Sequence, residues 1–89
     1  MTAAESLRIE LDEKCPVGKQ EFIDAIVGQI RRNGYASFML LCRIEKFHMH
    51  NGIEVPTKYE ALVMNWLREE GFRVKRSRFP GPETYEVTI

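Results

Sequence analysis

Two segments of the chain end in nearly the same six letters, IRRNGY (Ile30–Tyr35) and LREEGF (Leu67–Phe72). A helix commonly stops at a glycine in the left-handed conformation at C′, with the next residue, C″, folding back onto an apolar residue at C3. Gly34 with Ile30 and Tyr35 fits that device, and Gly71 with Leu67 and Phe72 fits it again. Each segment is therefore expected to be a helix from which the chain leaves in an extended direction. The residues flanking the two motifs do not match, so the repetition is a shared way of stopping rather than a duplicated unit. Arg31 and Arg32 in the last turn of the first helix suit the negative end of its dipole.

Upstream of the first stop, Lys19 to Asn33 places Ile23, Ile26, Val27 and Ile30 at i, i+3, i+4 and i+7, one face of a helix. Upstream of the second, Thr57 and Glu60 have the spacing of a capping box just after Pro56. Tyr59, Leu62, Val63, Trp66 and Leu67 then make a continuous apolar stripe, on which most of the core should gather.

The remaining segments read as strands. Ser6 to Leu11 alternates, with Leu7, Ile9 and Leu11 on one side and Arg8 and Glu10 on the other, the period of a half-buried strand. Asp12 to Gly18 holds acids, Pro16 and Gly18, a turn-rich connection. Phe38 to Cys42 is apolar at every residue; periodicity does not separate a buried strand from a short buried helix, and by analogy with the second stop it is read as a strand. Asn51-Gly52 is a turn signal. The C-terminal stretch is a hairpin whose register sets Phe72 opposite Ile89, Val74 opposite Val87 and Arg76 opposite Tyr85, with Lys75 meeting Glu86 on the other face. Its tip, Pro80-Gly81-Pro82, is too proline-rich for the favoured two-residue turns. The expected fold is α+β in the order β-α-β-α-β-β, two helices on one face of a small sheet ending in that hairpin. If residues 37–47 are helical instead, three helices and a hairpin result.

At 89 residues the chain is read as a single domain, 1–89. Thirteen cationic side chains against thirteen anionic ones leave no global field to draw in a polyanion or a membrane, so an electrostatic partner must be held by a local patch. No window approaches a membrane span of about 18 apolar residues. The N-terminal residues lack the apolar run of a secretory signal, which points to a cytoplasmic protein. Cys15 and Cys42 are too few for a disulfide framework and are read as structural.

The feature with most chemical content is the basic run Arg73, Lys75, Arg76 and Arg78, followed by Phe79. Clustered cations contact phosphates and an adjacent aromatic can stack on a base; charges on a strand edge also discourage aggregation. Arg31 and Arg32 extend this patch if the end of their helix lies near the hairpin. Met64 and Phe79 fall off the expected core faces, and with Phe47 and Met49 they form candidates for a protein-binding surface, where Met and aromatics are enriched. His48 and His50 share one side of an extended segment but lack the further ligands of a zinc site. Cys42 with His48 has the residue types of a nucleophile and base, with nothing to orient the pair. There is no phosphate-cradling glycine loop, serine elbow or acidic constellation, so no catalysis, metal or cofactor is expected.

From Thr57 to Ile89, a helix ending LREEGFRVKRSR, a short loop and YEVTI, the chain resembles the last helix and wing of winged-helix DNA-binding domains. That resemblance implies that Arg73, Lys75, Arg76 and Arg78 are wing residues. In size and motif content the chain is also similar to the small α+β proteins with which bacteriophages bind and inhibit host factors. The expected function is a non-catalytic binding module whose basic hairpin contacts an anionic partner, nucleic acid by default. The alternative is a small regulator that binds a host protein, or a second copy of itself, through the hairpin edge, Phe79 and Met64.

Overall fold

The computed structural model describes residues 2–50, 52–77 and 83–89. Among these the chain forms α1 (Ala3–Lys14), α2 (Lys19–Asn33), β1 (Ala36–Leu41), β2 (Ile53–Pro56), a 3-10 turn (Thr57–Tyr59), α3 (Glu60–Glu69), β3 (Arg73–Arg76) and β4 (Thr84–Thr88). The described architecture is thus α+β, three helices and a four-stranded sheet that ends in a C-terminal hairpin. The Asn51 turn position, Arg78, Phe79 and the tip Pro80-Gly81-Pro82 lie outside the described residues.

Both glycine stops are helix ends, and both glycines have φ 83°. They close the helices differently. At the first, the Gly34 N–H donates to the Ile30 carbonyl at 2.8 Å, the single bond of an αL cap, and Tyr35 stays exposed. At the second, Phe72 N–H donates to Leu67 C=O at 3.0 Å and Gly71 N–H to Arg68 C=O at 3.1 Å, the paired bonds of a Schellman motif, and Phe72 packs against the core. The apolar return expected at both ends is made only at the one that feeds the hairpin.

The alternating segment Ser6–Leu11 is helical, not extended. Ala3, Ala4, Leu7, Glu10 and Lys14 favour a helix intrinsically, Thr2 Oγ1 accepts from the Glu5 N–H at 3.2 Å, and Glu10 meets Lys14 at 2.7 Å one turn on. These local terms outweigh an alternation only six residues long. A helix cannot turn Leu7, Ile9 and Leu11 to one side, and indeed Leu11 packs against the core while Leu7 and Ile9 stay 59% and 46% exposed. The capping box read at Thr57 and Glu60 is also absent. A 3-10 turn leads into α3 without a side-chain cap, the Glu60 N–H bonds to the Thr57 carbonyl, and the Glu60 carboxylate accepts from the Tyr85 hydroxyl at 3.3 Å.

The all-apolar run is a strand. β1 is inserted between β2 and β4, and the sheet order is β2-β1-β4-β3. β2, which no alternation announced, supplies the strand that the N-terminal segment does not. It runs parallel to β1, with Phe38 beside Ile53 and Leu40 beside Val55. The hairpin has the expected register: Val74 faces Val87, Lys75 faces Glu86 and Arg76 faces Tyr85.

One face of the sheet carries the core. Ala36, Phe38, Leu40, Ile53, Val55 and Val87 are buried there under Ile23 and Ile26 of α2 and Leu62, Val63, Trp66 and Leu67 of α3. Phe22, outside the apolar stripe expected for α2, sits centrally: its ring centroid lies 6.0 Å from Phe38, 6.2 Å from Phe47 and 5.9 Å from Trp66. Outside the core, Lys19 at the start of α2 reaches both Glu69 and Glu70 at the end of α3 at 3.1 Å, and those carboxylates hold its ammonium above the ordinary lysine range.

A Cβ added at Gly34 or Gly71 would meet nothing within 4 Å, so Gly34→Ala and Gly71→Ala should each cost only the left-handed backbone term, about 1–2 kcal/mol. That lowers Tm by about 4–8 °C per kcal/mol, readable by thermal unfolding. Gly28→Ala, inside α2, should instead raise Tm by about as much as 1 kcal/mol confers, since helix propensity is its main change. Phe22→Ala should cost about 3–5 kcal/mol, enough to bring a domain of roughly 5–15 kcal/mol stability near its unfolding threshold in urea titration.

Candidate functional site

The two edges of the sheet differ. At the β2 edge, the chain doubles back so that His48 N–H donates to Glu54 C=O at 3.0 Å and Glu54 N–H to His48 C=O at 2.8 Å. The same two residues meet through their side chains, His48 Nδ1 lying 3.1 Å from Glu54 Oε1. Glu54 is the residue of β2 whose backbone groups point away from β1, and Pro56, the next to do so, has no N–H. The β2 edge is therefore occupied by the chain's own loop and by proline.

At the β3 edge, the Ser77 N–H donates to the Thr84 carbonyl at 2.8 Å. In an antiparallel pair, residues alternate between bonding their neighbour and facing away. With the observed register, Arg73, Lys75 and Ser77 bond toward β4, while the N–H and C=O groups of Val74 and Arg76 point outward. Among the described residues, no backbone group bonds to them from that side.

Side chains give this edge its charge. Arg73 and Lys75 project from the sheet face opposite the helices, and Val74 and Arg76 project from the helix-covered face; Arg73, Lys75 and Arg76 are exposed and Val74 is half-buried. Two of the cations have acidic neighbours. Lys75 faces Glu86, and Arg76 Nη2 lies 3.5 Å from Glu83 Oε1, while Arg73 faces Thr88. Behind Arg76, Tyr85 stacks on Phe38 at 5.4 Å. Burial, aided by the Glu60 and Glu83 carboxylates, pushes its phenol above the ordinary tyrosine range.

Arg31 and Arg32 do not join this group. Both are exposed, but Arg32 lines a groove with Gly28, His50, Gly52 and Ile53 at the β2 side, and two strands separate that side from β3. The apolar candidates are likewise dispersed. Phe47 is a core residue, its ring 5.5 Å from Tyr59 and 6.2 Å from Phe22, and is not available to a partner. Met49 is half-buried beside Ala25 of α2. Met64 is half-buried in a groove with Leu7 and Leu11, because α1 lies alongside the face of α3 that seemed free. Arg78 and Phe79 lie outside the described residues.

His50 is exposed, and no group of three or more His, Cys, Asp or Glu among the described residues is placed to hold a metal ion. Cys42, inside an apolar run in the sequence, is exposed just beyond β1, and Cys15 is half-buried. Among the described residues no helix is long and apolar enough to cross a membrane. The clasp of His48 on Glu54 and the outward amides of Val74 and Arg76 have no signature in the sequence, since both follow from the path of the loop and from strand order.

Compared with family models, curated proteins and solved structures, the chain has no match.

Because the Tyr85 phenol is raised in the folded state, the unfolded chain loses that proton first as the pH climbs above about 10. Tyr85 thus favours the fold below that pH and less so above it. Urea titrations of wild type and Tyr85→Phe should diverge there, the wild type losing more stability with rising pH than the variant.

Proposed function

We propose that the chain is a non-catalytic binding module whose C-terminal hairpin holds an anionic partner. The observation that carries this reading is the β3 edge, where Arg73, Lys75 and Arg76 are all exposed on a strand that lies at the border of the sheet. Cations in that density neutralise a polyanion, and nucleic acid is the first partner to test because phosphate contacts need only charge at the right spacing. A wing-like use of the hairpin belongs to the same reading.

A second reading, a regulator that docks on a protein, draws on a different observation. Glu54 and Glu86 stand on the uncovered sheet face together with Met39 and Leu41, and Glu86 sits directly beside Lys75. A phosphate chain laid across that face would meet those carboxylates, whereas a protein partner confined to the β3 edge would not.

Fluorescence polarisation of labelled single- and double-stranded DNA and RNA, at low and at physiological salt, tests the first reading. Binding should weaken steeply with salt, and Arg73→Glu with Lys75→Glu should lower affinity by about tenfold or more by reversing two contacts. Absence of binding to every nucleic acid at low salt removes it as the partner.

A further inference from the structure

Resting on the reading of the hairpin as the binding surface, we infer that the anionic partner is an extended acidic peptide segment that adds to β3 as a fifth strand. The outward N–H and C=O groups of Val74 and Arg76 offer main-chain hydrogen bonds at the edge, and an extended peptide is the ligand whose own backbone matches that spacing. The opposite edge offers no such site, because His48 already takes both backbone groups of Glu54 and Pro56 has no donor. The sheet therefore grows in one direction only.

Charge selects the occupant. A second copy of β3 laid antiparallel on this edge would set Arg73 opposite Lys75 when the pair centres on Val74, or Lys75 opposite Lys75 when it centres there, and like charges directly opposite destabilise a strand pair. A segment with carboxylates opposite Arg73, Lys75 and Arg76 satisfies all three. Opposite Val74, half-buried against the core, an apolar residue fits. An antiparallel partner would then read Glu-Glu-Val-Glu from N- to C-terminus, and a parallel one the reverse. Arg73 carries most of the discrimination, since its neighbour across β4 is Thr88, whereas Lys75 and Arg76 have Glu86 and Glu83 beside them.

The probe is an acetylated and amidated peptide containing Thr-Glu-Glu-Val-Glu-Thr, with single-stranded oligothymidylate as the competing polyanion. Amide hydrogen exchange followed by NMR on the wild-type chain should show Val74 and Arg76 slowed about tenfold or more at saturating peptide, as expected of newly bonded amides, while Lys75, already bonded to β4, changes little. Val74→Pro removes one outward N–H and no bond to β4, which edge strands tolerate; it keeps every charge. It should bind the peptide about tenfold more weakly and keep its far-UV circular dichroism. Peptide that leaves both amides unprotected overturns strand addition whether or not the proline variant folds, and so does a folded Val74→Pro that binds peptide as wild type does. Oligothymidylate bound equally by wild type and Val74→Pro, but lost on Arg73→Glu with Lys75→Glu, keeps the hairpin reading and overturns the acidic peptide as occupant if the peptide fails to compete. Slowing of the same amides by raised protein concentration alone would make a second copy the occupant. If neither probe binds, the hairpin reading falls with it.

Discussion

The ring of Phe22 is the contact on which the remaining structure depends. It brings α2, β1, the loop after β1 and α3 to one point, through edge-to-face contacts with Phe38 and Phe47 and a tilted contact with Trp66. Each such pair adds about 0.5–1.5 kcal/mol beyond the area it buries. What matters more is what the cluster positions. Phe47 anchors the connection between two parallel strands, a link that usually contains a helix and here contains none among its described residues. With Phe47 fixed, His48 is held where it can bond to Glu54, and the β2 edge is closed.

Several features were legible because local chemistry decides them. Gly34 and Gly71 mark the helix ends, since a left-handed residue after an apolar stripe admits few alternatives. The stripe of α3 and the hairpin register follow from the spacing of Leu62, Val63, Trp66, Val74 and Val87. The cations of β3 were also legible as a group. What could not be read depends on tertiary placement. Leu7, Ile9 and Leu11 alternate, yet no edge of the sheet receives them and the Thr2 cap favours a helix. Ile53–Pro56 is too short to show a period, and becomes a strand because β1 lies beside it. The partner of Met64 is α1, whose alternation of Leu7, Ile9 and Leu11 does not announce a helix. Arg32 and Arg73, both at helix ends or just beyond them, are separated by a strand order that no local signal carries.

The contrast between the two edges also bears on which strand pairings the sheet can make. One edge is sealed by backbone bonds and proline, and the other is left open but charged. Cations on an open edge discourage like edges from pairing. Glu83 and Glu86 temper the field of these cations without covering the outward backbone groups.

The position of β1 has a consequence for a chain still emerging from the ribosome. β1 is flanked by β2 on one side and β4 on the other, and β4 follows β1 only after β2, α3 and β3 have been made. During synthesis, an apolar strand, Ala36–Leu41, must wait with one side unpaired until the hairpin has been translated. Its long-range partner gives the domain a non-local closing step, the kind that slows folding and exposes strand edges in the meantime. The final residues of the hairpin thus act as the latch of the sheet, and translation speed through the preceding segment sets how long the latch stays open.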